Sequence, residues 1–326
     1  MQKSTNFPED YRAALEGAAF YVVPNSGKLK IGGETREDYI QRQTSNDLRL
    51  LSPSRAVQTI LPSPVGRIYE VLTLIDAGDT IEMLTQPGHG PGLANYFQKR
   101  IFFSDRVTFQ DASKEWVQIE IHGPEAAGLL SGWGAAVPLE VDGVALGSWK
   151  SMDYQAIALK GFSGDLHFLL VLPTNEHHTF TAMFLASNIP QLSGETREIL
   201  RVERGLAGDP EFTDSYTPFE VGLERLVSSE KGCYTGQEVL ARQVTYDKVV
   251  KTLIRLTADR AITPGRKLAV DGRHVGEVTS AAFSPRKGHL ALGIVRKPYD
   301  EPGTIVSVTN DRSDFKARIV PNSYQL

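Results

Sequence analysis

The 326-residue sequence contains one cysteine, Cys233. This excludes an intramolecular disulfide and any metal site built from several cysteines. The single thiol also favours a reducing compartment, which we expect to be the cytoplasm. The seven histidines show no ligand spacing, and the neighbours His177 and His178 would point in different directions on a helix. The sequence therefore predicts no metal site.

Long apolar runs are also missing. No stretch approaches the roughly 18 apolar residues that cross a bilayer, and the first ten residues lack the apolar core of a signal peptide. Lysine and arginine are scattered between apolar residues, whereas nucleic-acid-binding segments collect them in runs. We therefore expect neither membrane association nor stable nucleic-acid binding.

The charge is unevenly distributed along the chain. Residues 242–326 carry 15 Lys and Arg against 8 Asp and Glu, which gives +7. Residues 1–241 carry 20 against 31, which gives −11, and the whole chain has a net charge of −4. The basic C-terminal part is either a docking surface for an acidic partner or a complement to the acidic remainder.

Patterning predicts a mixed body followed by a β-rich end. Before residue 247 we predict strands at residues 18–24, 56–61, 67–75, 80–85, 107–110, 116–121, 155–159 and 166–172. Between them we predict helices at residues 34–43, 93–103, 124–133, 176–187 and 195–203. After residue 248 the pattern changes to short, regularly spaced strands at 249–256, 267–270, 274–283, 290–295 and 304–308, which are typical of a small antiparallel barrel. The sequence thus indicates an α+β body and a separate all-β domain.

One turn in the first half has a weak functional signal. Residues 80–85 lead into Gly88-His-Gly-Pro-Gly92 and a helix, an order also found at dinucleotide-binding turns. The glycine spacing is G-x-G-x-G rather than G-x-G-x-x-G, and Pro91 removes an amide that could hold phosphate. We therefore predict no dinucleotide site here.

The segment around the cysteine is the most informative part of the sequence. The segment comprises Lys231, Gly232, Cys233, Tyr234, Thr235, Gly236, Gln237 and Glu238. Its glycines and the polar Gln237 and Glu238 make poor core companions for a thiol. Nearby Lys231 and Arg242 would favour a thiolate, which makes a reactive thiol one interpretation. A small buried hydrophobic side chain is the other.

This segment resembles the signature K-G-C-Y-x-G-Q-E of the YgfZ proteins, which are relatives of the glycine-cleavage T-protein. Residues 36–48, 200–205, 217–223 and 276–280 are similar to further motifs of the family. The resemblance implies a T-protein-like α+β fold of three domains, with two interwoven α+β domains and a C-terminal antiparallel β-barrel. It places the folate-binding domain at residues 1–50 and 150–247, the second α+β domain at 51–149 and the barrel at 248–326.

The resemblance also implies a site for tetrahydrofolate or a derivative. In the T-protein, the glutamate of the motif L-R-x-E-x-G contacts the pterin ring, and Glu203 occupies that position here. A carboxylate can accept the adjacent N–H and amino groups of a pterin in one charge-assisted pair. Arg201, Asn46 and Phe162 are the further folate-binding candidates. Phe162 stands where the T-protein turn has a tyrosine, so a contact made by that hydroxyl would be lost.

The implied role is assembly or repair of iron–sulfur clusters and, through cluster enzymes, tRNA modification. Cys233 would be the reactive or partner-contacting group, and iron–sulfur proteins would be partners besides folate. One cysteine cannot ligate a cluster conventionally. A folate-dependent aminomethyl or methyl transferase is the alternative, although T-proteins carry two adjacent aspartates where this chain has Glu70 and Val71. A folate-binding regulatory module without chemistry is the third hypothesis, so enzymatic activity stays open.

Overall fold

The computed structural model describes residues 7–149, 152–161, 166–309 and 314–322. The chain divides into two compact units. Unit 1 comprises Met1–Leu61, Glu70–Gly194 and Glu230–Thr235, and unit 2 comprises Pro62–Tyr69, Glu195–Ser229 and Gly236–Leu326. Each unit therefore combines segments that are distant in sequence.

The described residues form helices and strands in mixed order. The α-helices are α1 (Glu9–Glu16), α2 (Arg36–Gln43), α3 (Gly90–Gln98), α4 (Ala126–Gly132), α5 (His177–Ala186), α6 (Gly194–Arg204) and α7 (Gln237–Thr245). The strands are β1 (Ala19–Val22), β2 (Gly27–Gly32), β3 (Val57–Pro62), β4 (Ile68–Asp76), β5 (Ile81–Thr85), β6 (Thr108–Asp111), β7 (Trp116–His122), β8 (Val144–Trp149), β9 (Met152–Lys160), β10 (Leu166–Pro173), β11 (Lys251–Ala258), β12 (Lys267–Val270), β13 (Arg273–Ser284), β14 (Gly288–Arg296), β15 (Ile305–Val308) and β16 (Phe315–Val320). Within these residues, every helix is too short or too polar to cross a membrane.

Two five-stranded sheets form the first part of the fold. One has the strand order β1–β7–β10–β9–β8 with antiparallel pairs throughout, and its core contains Phe20, Phe168 and Phe184. The other has the order β3–β4–β5–β2–β6, in which β2 pairs antiparallel with β5 and β6, and β4 with β5. The antiparallel setting of β5 is not that of a parallel dinucleotide-binding sheet, which agrees with the rejection of that motif.

Strand β4 carries a charged residue on its buried face. Ile68, Leu72 and Leu74 point into the core, as the period of two requires for every second residue. Glu70 lies in the same inward row and is 1% exposed. The alternating pattern of the sequence thus places a carboxylate in the interior of the second sheet.

A closed six-stranded barrel forms most of unit 2. Its strand order is β11–β14–β13–β12–β15–β16, and every pair is antiparallel. Leu256, Leu268, Val295 and Val306 are completely or almost completely buried in its interior. Closure leaves no open sheet edge, which removes a route to aggregation.

Helix α6 has a clear buried face within unit 2. Thr196, Ile199, Leu200 and Glu203 are buried at the i, i+3, i+4 and i+7 spacing of one helical face. The helix stops at Gly205, whose φ of +80° is a left-handed conformation that favours glycine. This termination leaves Glu203 in the last turn.

The α+β fold class with a C-terminal antiparallel barrel is confirmed. The helix predicted at residues 93–103 is α3, which begins at Gly90 because a proline is favoured in the first helical turn. Five elements escaped prediction, namely α1, α7, β2, β8 and β16. The domain boundaries near residues 50, 150 and 248 stay predictions.

Candidate functional site

The carboxylate of Glu203 is buried and firmly oriented within unit 2. Its side chain is about 3% exposed, and it accepts hydrogen bonds from Ser284 Oγ at 2.5 Å and from Arg286 Nη2 at 2.8 Å. Ser284 Oγ itself accepts the backbone N–H groups of Arg286 and Lys287 at 3.1 and 2.8 Å. Because the Ser284 hydroxyl accepts both of these bonds, its single proton is available to be donated to the Glu203 carboxylate. The turn between β13 and β14 therefore fixes the position of Glu203.

Cations surround this carboxylate. The backbone carbonyl of Glu203 accepts a hydrogen bond from Arg255, and Lys287 Nζ lies 3.5 Å from the same oxygen. Burial, and then the charge of Arg255, lower the pKa of Lys287, while Glu203 opposes that shift. Burial also lowers the pKa of Arg255. Cationic side chains thus lie at both the carboxylate and the backbone carbonyl of Glu203.

Arg201 forms a second buried network on α6. It is 5% exposed and donates to both carboxylate oxygens of Glu198, to the carbonyl of Leu206, to Glu211 Oε2 and to Ser280 Oγ, at 2.6–2.9 Å. An arginine has five N–H groups, and all five are used in these contacts. The network ties α6 to the following loop and to β13. A folate contact by Arg201 stays a prediction, and it would require one of these bonds to break.

Lys231 has a structural partner in unit 1. Its ammonium is buried and donates to the carbonyl oxygens of Gln41, Thr44 and Asn46 at 2.7, 2.6 and 2.7 Å. These carbonyls lie at and just beyond the C-terminal end of α2, where backbone acceptors lack helical donors. Burial lowers the pKa of Lys231 from 10.5 to about 8, against the opposing charge of Asp47. The lysine of the signature thus caps a helix.

Cys233 is exposed, whereas residues on both sides of it are anchored. The Tyr234 ring is buried, which raises the pKa of its hydroxyl to about 12, and Lys231 Nζ lies 5.1 Å from the ring centroid. The amide of Thr235 donates to the carbonyl of Arg42 at 3.3 Å. The interpretation of Cys233 as a buried hydrophobic side chain is therefore wrong, because the thiol sits at the tip of a fixed turn.

The end of the signature builds the start of α7 in unit 2. Gly236 is the N-cap with a φ of +79°, and a Cβ there would lie 2.4 Å from the carbonyl oxygen of Ser63. Only glycine fits this approach. Glu238 forms a surface ion pair with Arg242 at 2.6 Å, one turn along the helix, while Gln237 is the first helical residue. Arg242 is thus paired with Glu238.

The two remaining folate-binding candidates differ in what can be said of them. Asn46 Nδ2 donates to the carbonyl of Gln58 at 2.8 Å, and its Oδ1 accepts the amide of Asp47 at 2.9 Å. The side chain therefore shapes the turn after α2, and its contact with folate stays a prediction. Phe162 lies outside the described residues.

Family models match both parts of the chain. A model of the GCVT N-terminal domain matches residues 2–231, and a model of the glycine cleavage T-protein C-terminal barrel domain matches residues 251–324. The chain belongs to the glycine cleavage T-protein family. Membership agrees with the closed barrel and with the sheets that precede it.

Individual relatives cover nearly all of this T-protein family member. A putative chloroplastic transferase of Arabidopsis thaliana is 24% identical over 96% of this chain and 73% of its own length. An aminomethyltransferase of Oceanobacillus iheyensis is 26% identical over 98% of this chain and 90% of its own length. The crystal structure of glycine cleavage system aminomethyltransferase T from Bartonella henselae has a TM-score of 0.84 at 19% identity, covering 97% of this chain and 88% of that one. This structural likeness shows the shared fold.

Sequence reasoning missed the partners of these residues more than the residues themselves. Ser284 and Arg286 hold Glu203 from 81 and 83 positions away, and the serine is the last residue of β13, in a stretch that has no distinctive motif. Sequence reasoning compared Glu70 with the aspartate of T-proteins but did not predict its burial, and the structure buries it. The apolar residues at 68, 72 and 74 are the signal that could have indicated this burial.

Proposed function

We propose that the protein binds tetrahydrofolate or a derivative through the carboxylate of Glu203. The observation that carries this proposal is that a buried carboxylate, oriented by the Ser284 hydroxyl, stands at the pterin-contacting position of a family motif. Pterin N–H and amino groups are donors that suit a carboxylate. The Arg286 side chain is 41% exposed, so it can move aside as the pterin enters.

Titration with tetrahydrofolate under anaerobic conditions tests the folate site. We expect Glu203→Gln to weaken binding about 10- to 100-fold, since a hydrogen bond to a charged group is worth about 1.5–3 kcal/mol. Glu195→Gln is the matched control, because it removes a charge from an exposed position of the same helix. Equal binding by wild type and Glu203→Gln would remove the pterin site, and absence of binding by the wild type would remove the folate proposal.

For the cellular role, we propose a YgfZ-type function in iron–sulfur cluster assembly or repair and, through cluster enzymes, in tRNA modification. The exposed thiol of Cys233 on an anchored turn supports contact with a partner or a brief thiol reaction. A lone thiolate is too few for a resident cluster, so cluster proteins would be partners. The proposed location is the cytoplasm, where a free thiol stays reduced.

A complementation experiment tests this role. Cells that lack the native protein would receive either the wild type or Cys233→Ser, and the activity of an iron–sulfur enzyme would be measured. We expect the serine variant to fail although it accumulates to the same level. Wild-type activity with Cys233→Ser would remove the thiol from the proposal.

A folate-dependent aminomethyl transferase is the second candidate. The aminomethyltransferase relatives favour it, as does Glu70, an acidic residue that the structure buries near the aspartate position of the motif. Purified protein would be incubated with tetrahydrofolate and an aminomethyl donor, whose CH2 group would be transferred with release of ammonia. Formation of methylene-tetrahydrofolate would establish the transferase, and its absence from protein that binds folate would leave the cluster role.

A further inference from the structure

A buried carboxylate holds an exposed histidine in unit 1. Glu70 is 1% exposed, and its Oε2 lies 2.7 Å from Nδ1 of His89. The His89 side chain is 52% exposed. Its second ring nitrogen, Nε2, has no hydrogen-bond partner among the described residues. The arrangement has the order of an acid–base pair, with a carboxylate behind the ring and an accessible nitrogen in front.

The backbone around His89 is fixed on both sides. The turn after β5 brings the amide of His89 to the carbonyl of Gln86 at 3.1 Å, and Gly88 adopts a φ of +80° within it. The carbonyl of His89 then accepts the amide of Leu93 at 3.0 Å in the first turn of α3. Glu70 Oε1 accepts a hydrogen bond from the backbone amide of Gln86 at 3.0 Å. The same carboxylate therefore positions the turn and the imidazole.

These contacts define the chemistry of the ring. A carboxylate that faces Nδ1 favours the proton on that nitrogen and leaves the lone pair of neutral imidazole on Nε2. Gln86 also has a buried side-chain nitrogen, Nε2, which has no hydrogen-bond partner within the described residues. An unsatisfied buried donor costs about 1–3 kcal/mol. A bound molecule with an acceptor would satisfy it.

We propose that His89 is a general base, positioned by Glu70, for a small molecule that presents an O–H or N–H group. The proton would pass from that group to Nε2, and the Glu70 carboxylate would stabilise the resulting imidazolium. The side-chain Nε2 of Gln86 would donate to an acceptor on the same molecule. The proposal rests on the geometry of unit 1 and is independent of folate binding.

A purely structural role for the pair makes a different prediction. A neutral side chain at position 70 could also anchor the turn by accepting the backbone amide of Gln86. Burying an ionised carboxylate is costly unless a partner compensates for the lost hydration. As a structural anchor, the ring would react like any other histidine whose Nδ1 is hydrogen-bonded. His177 provides that comparison, because its Nδ1 lies 2.7 Å from the neutral backbone carbonyl of Thr174.

The first measurement compares the two histidines in one protein. Diethyl pyrocarbonate would be added to Cys233→Ser protein at about pH 8.5, where an ordinary imidazole is neutral, and peptide mass spectrometry would follow acylation at each ring. We expect His89 to react faster than His177, and Glu70→Gln to slow His89 alone. Equal rates at the two histidines would overturn the proposal. The comparison of His89 with His177 is made in protein that keeps both His89 and Glu70, so it stands even if Glu70→Gln fails to fold.

The second measurement uses p-nitrophenyl acetate as a probe of general-base action. Nε2 of His89 would take a proton from a water molecule while the water oxygen attacks the carbonyl carbon of the ester. The ester C–O bond would then break and release p-nitrophenolate and acetate. We expect His89→Gln to lower the hydrolysis rate about tenfold, less than the 10²- to 10⁴-fold of a positioned substrate. His177→Gln is the control and should leave the rate unchanged. An unchanged rate in His89→Gln would refute the base.

Discussion

Lys231 is where the structure makes its sharpest stability prediction. Lys231→Met keeps a long side chain of similar reach but removes the ammonium that donates to three carbonyls beyond α2. We expect the variant to lower the free energy of unfolding of unit 1 by about 3 kcal/mol, since each buried carbonyl left without a donor costs about 1–3 kcal/mol.

The magnitude follows from two opposing terms. Desolvation opposes the charged form, because burial lowers the pKa of Lys231 from 10.5 to about 8. The three hydrogen bonds stabilise the fold by about 1.5–3 kcal/mol each because the donor is charged. Methionine removes both terms and leaves three carbonyls without this donor. The hydrogen bonds are the larger sum, so the net effect is destabilising.

Tryptophan fluorescence during urea denaturation is a suitable assay. All three tryptophans, Trp116, Trp133 and Trp149, lie in unit 1, so their emission reports unfolding of that unit. Lys99→Met is the matched control, since Lys99 is an exposed lysine of the same unit. We expect its midpoint to stay at that of the wild type.

A small effect would refute the reasoning. A loss of less than about 0.5 kcal/mol in Lys231→Met, the size of an ordinary surface substitution, would mean that the three carbonyls find other donors. The lysine would then have a role other than helix capping, and its position two residues before Cys233 would become the leading explanation.

Three further predictions follow from the same structure. Arg201→Met should destabilise unit 2 by about 3–5 kcal/mol because it strands a buried carboxylate, and faster hydrogen exchange in the barrel would show this. Gly205→Ala should lower the free energy of unfolding by about 1–3 kcal/mol, because φ is +80° and the added Cβ would lie 2.5 Å from Asn322 Oδ1. Gly272→Ala is the control in a thermal melt, since Gly272 has a φ of +74° but open space around it, so that variant measures the backbone cost alone. Between about pH 8 and 10.5, Lys231 binds more protons in the unfolded chain than in the folded chain, so its contribution to stability increases as pH rises. The urea midpoint of the wild type should therefore rise relative to that of Lys231→Met between pH 7 and pH 10. Equal shifts in the two proteins would contradict the lowered pKa.

The fold was more predictable than the site for a physical reason. Strand alternation and helical spacing are local, and they were sufficient for the α+β body and the barrel. The burial of Glu203 is also local, because Thr196, Ile199 and Leu200 share its helical face. Its hydrogen bond to Ser284 is not local, since it depends on where the β13–β14 turn closes against α6. Local sequence patterns do not show that the β13–β14 turn packs against α6.

Lys231 shows the same limit in another form. Its position two residues before Cys233 suggested an electrostatic effect on the thiol. The structure directs the ammonium toward Gln41 and Thr44, which lie 190 and 187 positions earlier in the chain. A lysine next to a cysteine is a local observation, whereas the carbonyls that it caps are brought there by the whole of unit 1.

The anchoring of the signature changes how mutations in it must be interpreted. Lys231 and Tyr234 are buried on either side of an exposed Cys233, so replacing either one would displace the thiol as well as destabilise the fold. A loss of function in Lys231→Met would therefore say nothing about thiol chemistry. Cys233→Ser leaves both anchors in place and exchanges only an exposed sulfur for oxygen. That variant, in a protein shown to retain its urea midpoint, separates the chemistry of the cysteine from the architecture that presents it.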